Sequence, residues 1–316
     1  MNVITALNRK YIPYTLVMLT SLGINSKESV DAYLLHSELT GEDEKFLKGA
    51  LEEHGVNIHL VAIDRSMFSD KLPRNEQWSL ETYFRLMMFD VLPDNISRAL
   101  YLDGDMVINK DLTDLYNMDF ADKEIIACDD KGGFNQKEGY GPKHNEMFRE
   151  AYEHDYRYFN AGVMLLNLEL MRKRYSFKTY LDAFEAWNYQ MEAPDQDILN
   201  WVHWKNVDYV DFAYYDLFAR VAHTSGITYE EVKKDVAIVH FPGAKPWENA
   251  NYHFGIEKLW WDYAKKTPLY QELLEGFVES AVTDNSIELF MRNLDEKNRT
   301  QADLLQQLMA KVKEIM

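Results

Sequence analysis

The first hundred residues alternate short apolar runs with amphipathic stretches, and this order limits the possible folds more than any other feature of the sequence. Buried strands are predicted at residues 3–7, 30–35, 58–63 and 98–102. Apolar residues at helical spacing predict helices after Pro13, after Thr40 and over residues 82–92. The last of these helices is expected to end at Pro93. Strands that alternate with helices are typical of a parallel sheet with helices on both faces, so we expect an α/β fold.

The second half continues this pattern and then changes in character. Further strands are predicted at residues 159–167 and 237–240, with helices around 168–187 and 196–202. From Pro268 onward nearly all residues are helix formers, with apolar side chains at helical spacing. We therefore expect one α/β domain in residues 1–267 and a helical C-terminal extension in residues 268–316.

The charge balance excludes several classes of function. Asp and Glu number 52 against 34 Lys and Arg, a formal net charge of −18. Such a charge argues against a sequence-independent nucleic-acid binder and leaves at most peripheral membrane contact, because both anionic partners need a basic surface. No stretch approaches the roughly 20 apolar residues of a membrane span, so we expect a soluble, cytoplasmic protein. The single cysteine, Cys128, cannot form an intramolecular disulfide or a cysteine-based zinc site.

An apolar strand ends directly in two carboxylates, Asp103 and Asp105, which are separated by Gly104. Side chains two residues apart on extended backbone point the same way, and α/β folds bind ligands at the carboxyl ends of parallel strands. Such a pair is suited to hold a divalent cation that bridges and neutralises a diphosphate. The alternative is an Asp-Gly turn with solvated acids.

The segment after the strand at 237–240 places His240, Gly243, Lys245 and Trp247 within eight positions. The imidazole could complete a ligand set with the two carboxylates, and it suits Mn²⁺ better than Mg²⁺. Lys245 could reach a phosphate as a point charge. The alternative is a core histidine near an unrelated loop lysine.

Two further segments carry groups suited to a ligand. The run Asn-Ala-Gly at 160–162 begins a strand with small residues that let the backbone approach a ligand closely. A helix is predicted to start near Asp195, with Asp195 as its cap and Gln196 or Asp197 facing a cleft. The alternative is a helix start without chemistry.

Six segments in this order together resemble a known family. They are Thr5-Ala-Leu-Asn-Arg-Lys-Tyr11, Ser79-x-Glu-Thr-Tyr-Phe-Arg85, Leu102-Asp-Gly-Asp105, Phe159-Asn-Ala-Gly-Val163, Asp195-Gln-Asp-Ile-Leu-Asn200 and His240-x-x-Gly-x-Lys-Pro-Trp247. Over roughly residues 1–265 the chain resembles glycosyltransferase family 8, the retaining group that includes glycogenin and bacterial lipopolysaccharide galactosyl- and glucosyltransferases.

The resemblance implies a GT-A fold, the nucleotide-diphospho-sugar transferase fold with a mostly parallel central sheet. It implies transfer of a hexose, galactose or glucose, from a UDP-sugar to a saccharide hydroxyl, in cell-surface polysaccharide or lipopolysaccharide synthesis. Mn²⁺, with Mg²⁺ as the alternative, would be held by Asp103, Asp105 and His240. The implied catalytic residues are Asp195, Gln196 and Lys245.

The residues implied to bind the donor share positions in the six matched segments. They are Ala6, Leu7, Asn8, Tyr11, Arg85, Asp103, Gly104, Asp105, Asn160, Ala161, Gly162, Asp195, Gln196, Gly243 and Lys245. The resemblance implies that Ala6, Asn8 and Tyr11 hold the uracil and ribose, and that Arg85 reaches the sugar or diphosphate. It assigns the phosphates to Gly243 and Lys245, and the sugar to residues 160–162, Asp195 and Gln196.

This chain departs from the family pattern at two positions. Family members often carry Asp where Asn8 stands, although an amide can both donate and accept hydrogen bonds. The Gly243–Lys245 spacing is one residue shorter than the usual Gly-x-x-Lys, so Lys245 would meet the phosphates from a different angle.

Retention of configuration needs either a covalent intermediate or attack from the face that the phosphate leaves. Gln196 is a neutral amide and therefore a poor nucleophile. We favour same-face attack, with the leaving phosphate as the base and Gln196 stabilising the transition state. Lys245 and the metal would stabilise the charge on departing UDP.

Three other classes of protein share parts of this pattern. A retaining glycosidase needs carboxylates about 5 Å apart across a sugar rather than a two-residue clamp. A nucleotidyltransferase that makes UDP-sugars would need a basic, Gly-rich triphosphate loop, where this chain has only Asn8-Arg-Lys10. A non-catalytic sugar-binding protein would bind without turnover.

Aromatic residues and the tail complete the predictions. Sugar faces stack on aromatic rings, although most such rings pack in cores, and only Trp247 is expected near the site. The candidates are Trp187, Trp201, Trp204, Tyr214, Tyr215, Trp247, Tyr252, Trp260 and Trp261. Because acids outnumber bases in residues 268–316, we interpret this extension as a packing element or as a homo-oligomer contact.

Overall fold

The computed structural model describes residues 1–74, 79–130, 141–154, 156–248 and 253–283. Its strands are β1 (Asn2–Ala6), β2 (Val30–His36), β3 (Val56–Ala62), β4 (Arg98–Leu102), β5 (Met106–Ile108), β6 (Ile125–Asp129), β7 (Phe159–Asn167), β8 (Val207–Val210), β9 (Leu217–Phe218) and β10 (Ile238–His240).

The α-helices lie between these strands and after the last one. They are α1 (Ile12–Asn25), α2 (Gly41–Leu51), α3 (Met88–Val91), α4 (Thr113–Tyr116), α5 (Pro142–Met147), α6 (Arg149–Glu153), α7 (Leu168–Arg174), α8 (Phe177–Ala186), α9 (Pro194–His203), α10 (Phe212–Tyr215), α11 (Ala219–Thr224), α12 (Tyr229–Asp235), α13 (Lys258–Ala264) and α14 (Tyr270–Thr283). Short 3₁₀ helices cover Arg9–Tyr11, Glu52–His54, Arg65–Met67, Leu80–Met87 and Gly255–Glu257.

Within the described residues, the central sheet has seven strands in the order β3-β2-β1-β4-β7-β6-β8. The pairs β3–β2, β2–β1, β1–β4 and β6–β8 are parallel, and β7 runs antiparallel to both of its neighbours. This arrangement confirms the predicted α/β fold with a mostly parallel sheet. Neighbouring residues of β1 face opposite layers, since Val3 packs in one hydrophobic cluster and Ile4 in another.

A smaller sheet of order β5-β10-β9 stands beside the central one. β5 follows β4 after only three residues, so the segment 103–105 connects the two sheets. β5 pairs antiparallel with β10, in a register that sets Met106 opposite His240. The end of β10 therefore lies next to the residues that leave β4.

The structure confirms the predicted strands to within two residues at each end. The predicted start of α2 is also confirmed, because Thr40 and Asp43 form a capping box. The region 168–187 is helical as predicted and contains two helices, since Ser176 caps a separate helix α8. The stretch 82–92 is helical and ends before Pro93 as predicted, but most of it is the 3₁₀ helix Leu80–Met87, which is followed by one turn of α3.

The C-terminal extension is helical as far as the structure describes it. Helix α14 packs on the preceding helix α13 through Phe277, whose ring centroid lies 5.5 Å from that of Trp261. Residues 284–316, and with them most of the predicted helical tail, lie outside the described residues. None of the helices described combines the length and the apolar character needed to span a bilayer.

One side chain, Arg172 of α7, holds the loop that leads into β4. Its guanidinium donates hydrogen bonds to the main-chain carbonyl oxygens of Phe89 (2.9 Å), Leu92 (3.2 Å), Pro93 (3.1 Å), Asp94 (3.4 Å) and Ile96 (2.7 Å). Residues 103–105 directly follow β4. By holding the loop before β4, Arg172 therefore fixes where the strand that leads to these residues begins.

We predict that Arg172→Met lowers the free energy of unfolding by about 2–4 kcal/mol, because several carbonyls lose a charged donor at once. Its neighbour Lys173 makes an exposed ion pair with Glu169, and Lys173→Met should cost at most about 1 kcal/mol. Urea unfolding of both variants measures the difference. Equal losses would contradict the role given to Arg172.

Candidate active site

Three side chains from the junction of the two sheets converge at one point. Asp103 follows β4, Asp105 precedes β5, and His240 ends β10. A ligand atom from each lies within 4.8 Å of the ligand atoms of the other two. The main-chain N–H of Phe241 donates to the carbonyl of Asp105 at 3.0 Å, which fixes the two segments side by side.

His240 is oriented by a carboxylate that the sequence reasoning did not identify. Its Nδ1 lies 2.8 Å from Oδ1 of the fully buried Asp216, and its Nε2 faces Oδ1 of Asp105 at 3.4 Å. Metal-binding histidines are commonly held in this way by a carboxylate on the other ring nitrogen. Asp216 lies in no motif, since it reaches His240 only because β9 pairs with β10.

The carboxylates around His240 change its protonation. Burial alone would lower the pKa of His240, but Asp105 and Asp216 raise it to about 10. Burial raises the pKa of Asp216 to about 6, although His240 acts in the opposite direction. For Asp105 burial is outweighed, and Lys245 and His240 hold its pKa well below the ordinary range. The space between these carboxylates therefore favours positive charge.

Gly162 of β7 leaves room for a cation at this point. A Cβ on Gly162 would lie 2.6 Å from Cε1 of His240 and 2.9 Å from Oδ2 of Asp103. Any larger residue would fill the space that the three side chains surround. Two carboxylates and an imidazole form a donor set that suits Mn²⁺, so the residues present fit a divalent metal ion.

Arg85 lies beneath the carboxylates rather than at the surface of the cleft. Its Nη2 donates to Oδ1 of Asp103 at 2.7 Å, and its Nε lies 3.2 Å from Oδ2 of Asp195. Its Nη1 donates to the carbonyl of Ala161 at 2.9 Å. Arg85 is buried, and it joins the end of β4, the start of β7 and the start of α9.

The structure decides between the candidates at the start of α9. The predicted cap at Asp195 is wrong, because the helix is capped by Ala193 and Asp195 lies in its first turn. Asp197 is fully buried, where it accepts hydrogen bonds from the hydroxyl of Tyr158 at 2.6 Å and from the N–H of Ala193 at 3.0 Å. Gln196 is the partly exposed member of the motif.

The amide of Gln196 is fixed at both ends. Its Oε1 accepts from the N–H of Ala161 at 2.9 Å and from Nδ2 of Asn160 at 3.2 Å. Its Nε2 donates to Oδ2 of Asp130 at 2.9 Å. Sequence reasoning missed Asp130, because it follows β6, a strand that had not been predicted.

The four candidate donor-binding residues near the N-terminus, Ala6, Leu7, Asn8 and Tyr11, differ in burial. Leu7 packs in the hydrophobic core, and Ala6 at the end of β1 is half-buried. Oδ1 of Asn8 accepts from the N–H of Tyr11 at 3.1 Å, so Asn8 caps the 3₁₀ helix there. Tyr11 lies against Gly104, where a Cβ would approach its Cδ1 to 3.4 Å, and burial raises the pKa of its phenol.

The loop after β10 brings Lys245 onto the carboxylates. Its Nζ contacts Oδ2 of Asp105 and donates to the carbonyl of Phe241 at 2.9 Å. Gly243, with a φ of 90°, lies exposed on this loop. Trp247 is buried with its ring edge-on to Tyr11, the ring centroids being 6.2 Å apart.

Two of the other aromatic candidates lie beside the loop of Lys245, since the ring centroid of Trp260 is 4.9 Å from that of Trp247 and Nε1 of Trp261 donates to the carbonyl of Pro246 at 3.1 Å. Trp187 packs against Trp201, with ring centroids 5.2 Å apart, and Trp260 is fully buried in the core. Tyr252 lies outside the described residues.

Known proteins resemble this chain over most of its length. A lipopolysaccharide 1,2-glucosyltransferase of Escherichia coli is 26% identical over 260 residues, which cover 79% of this chain and 74% of that protein. A lipopolysaccharide 1,3-galactosyltransferase of Salmonella typhimurium is 23% identical over 228 residues, 71% of this chain and 66% of that protein.

A solved structure and a family model extend this comparison. The crystal structure of the galactosyltransferase LgtC in complex with donor and acceptor sugar analogues matches with a TM-score of 0.72 at 24% identity. The match covers 85% of this chain and 96% of LgtC, and it identifies the GT-A fold. The model of glycosyl transferase family 8 matches residues 2–251. The chain therefore belongs to glycosyl transferase family 8.

Proposed function

We propose that this protein is a retaining hexosyltransferase that moves galactose or glucose from a UDP-sugar to a hydroxyl of a saccharide acceptor. The observation that carries the proposal is the convergence of Asp103, Asp105 and His240 within 4.8 Å of one another, with Lys245 beside them. We further propose that it uses Mn²⁺, or Mg²⁺ as the alternative, and acts in the cytoplasm in cell-surface polysaccharide or lipopolysaccharide synthesis. The names of the related lipopolysaccharide transferases support this pathway.

The chemistry at the donor begins with the departure of UDP. A divalent ion held by Asp103, Asp105 and His240 would supply Lewis acidity to the diphosphate. Lys245 adds a positive charge on the same side of the cleft, where the leaving phosphate becomes more negative. Arg85 orients the carboxylate of Asp103, since it binds Oδ1 and leaves Oδ2 toward Gly162.

The proposed route to retention is attack from the face that the phosphate leaves. Gln196 is held at both ends by hydrogen bonds and is a neutral amide, so it serves as a stabilising dipole rather than a nucleophile. Asp195 is paired with Arg85, and Asp197 is buried away from the cleft. The leaving phosphate then takes the proton of the acceptor hydroxyl.

The division of the chain belongs to the same proposal. Residues 1–267 form the catalytic domain, and residues 268–316 form an extension for packing or self-association. Helix α14, which packs on α13, supports a packing role for the start of this extension. The mass of the full chain in solution reports whether the protein self-associates.

The first prediction concerns the donor and the metal. A panel of UDP-sugars with Mn²⁺ should release UDP with one hexose donor, and Asp105→Asn should slow this release at least about 100-fold. Loss of a group that only hydrogen-bonds to a metal ligand typically lowers metal affinity or activity about 10–100-fold. Asp105 is itself a proposed ligand, so a larger effect is expected. The control Asp31→Asn changes a surface carboxylate beside His59 and should leave the rate unchanged. Undiminished turnover of Asp105→Asn, or pyrophosphate release from UTP, would contradict the proposal.

The second prediction concerns the space beside Gly162. Gly162→Ala should weaken Mn²⁺ binding in the presence of UDP by about 10-fold or more, because the new Cβ would displace His240 or Asp103. Gly49→Ala in α2 is the matched control, since a Cβ there meets no atom within 4 Å. Electron paramagnetic resonance of free Mn²⁺ measures both affinities. Equal affinities in the two variants would show that the metal lies elsewhere.

The third prediction concerns the proposed route. Gln196→Ala should lower kcat by about 10²–10³-fold through loss of a stabilising dipole, while the product keeps the anomeric configuration of the donor by NMR. The control Gln271→Ala removes an exposed amide on α14 and should change nothing. A glycosyl adduct on any side chain, detected by mass spectrometry of the intact protein, would overturn same-face attack.

A further inference from the structure

The ammonium of Lys245 lies on the carboxylate that is proposed to bind the metal. Its Nζ contacts Oδ2 of Asp105, and the two side chains are only 14% and 11% exposed. A second hydrogen bond, to the carbonyl of Phe241 at 2.9 Å, holds the ammonium in this position. The contact is therefore a largely enclosed ion pair, unlike the surface pairs of this chain such as Lys258 with Asp262.

Both oxygens of Asp105 face basic groups. Oδ2 contacts Lys245, and Oδ1 lies 3.4 Å from Nε2 of His240. A divalent cation bound through Asp105 and His240 would meet the ammonium on the same carboxylate, and the two cations would repel each other. One of the basic groups must then move away.

Of the two basic groups, Lys245 is the one that can move without a change in the sheets. His240 is fixed by β10 and by its hydrogen bond to Asp216 at 2.8 Å. Lys245 stands instead on the loop that follows Gly243, and its charge sits at the end of a flexible four-carbon stem. Rotation of this stem removes the ammonium from Asp105 without any change in the sheet.

We propose that Lys245 is an internal counter-cation, which occupies Asp105 until a divalent metal ion displaces it, and which then binds the diphosphate of the donor. This inference rests on the proposed function, because it needs both a metal ion and a nucleotide diphosphate at this site. The same ammonium thus competes with the metal when no nucleotide is bound and assists the nucleotide once the metal is in place.

The exchange couples the two ligands. In the absence of nucleotide, metal binding breaks the ion pair of Lys245 with Asp105 and moves the ammonium into solvent. Because this ion pair is lost, the nucleotide-free protein binds the metal more weakly. A diphosphate offers the displaced ammonium a new anionic partner, so metal and nucleotide each strengthen the binding of the other. By thermodynamic linkage the two ligands gain the same factor, and such couplings are typically about 5–150-fold.

The experiment titrates Mn²⁺ into the full-length protein with and without UDP, with free Mn²⁺ measured by electron paramagnetic resonance. Lys245→Met keeps the length of the side chain and removes its charge. We expect this variant to bind Mn²⁺ about 10-fold more tightly than the unmodified chain when UDP is absent. We also expect UDP to increase its Mn²⁺ affinity by a smaller factor. Lys245→Arg retains a cation on Asp105, and its Mn²⁺ affinity in the absence of UDP should therefore stay below that of Lys245→Met.

The matched control is Lys258→Met, which removes one ammonium from a surface pair with Asp262 at 2.8 Å. It should leave Mn²⁺ binding unchanged, and equal tightening in this control would overturn the inference by assigning the effect to net charge. Circular dichroism checks the fold of each variant. Lys245→Gln replaces Lys245→Met in the same titration if the latter does not fold.

Two negative results are distinguishable. If Lys245→Met binds Mn²⁺ in the absence of UDP no more tightly than the unmodified chain, Lys245 is only a phosphate ligand and the inference is wrong while the proposed function stands. If the unmodified chain binds no Mn²⁺ even with saturating UDP, the proposed metal-dependent function fails, and the inference fails with it.

Discussion

The candidate active site depends on the balance of charge among four carboxylates that lie together in a largely buried cleft. Asp103, Asp105, Asp195 and Asp216 have side chains between 0% and 23% exposed. Ionised groups are costly to bury unless each has a partner of opposite charge. Arg85 forms ion pairs with Asp103 and Asp195. His240 contacts Asp105 and Asp216, and Lys245 forms a further ion pair with Asp105. The three basic side chains thus offset much of the negative charge of the four carboxylates.

The two sheets create this cleft because they meet at residues 103–105. β4 belongs to the central sheet and β5 to the small one. The three residues between them therefore lie next to residues of both sheets. The antiparallel strand β7 lies next to β4 and brings Gly162 against Asp103, and β10 brings His240 from the other side. The space for a cation is therefore a consequence of strand order and of one position that lacks a Cβ.

Local patterns predicted the parts of the fold that have a local cause. The strands β1 to β4 are runs of apolar residues, and α2 begins at a capping box, so each is specified by a few neighbouring residues. Residues 82–92 have helical spacing too, yet residues 80–87 form a 3₁₀ helix whose apolar side chains lie in the core and whose Arg85 pairs with Asp103. The short strands β8 and β9 have too few residues to show a pattern, and they exist because a neighbouring strand pairs with them.

The sequence alone determined the family, the α/β order of the catalytic region and the identity of the three candidate metal ligands, because residue type and spacing carry that information along the chain. Only the tertiary structure showed that Gln196 is partly exposed while Asp197 is buried, because the two differ in burial and not in local pattern. It alone showed Asp216 behind His240 and Lys245 on Asp105. Those contacts join residues 24 and 140 positions apart, and no local rule of sequence relates side chains that meet only through folding.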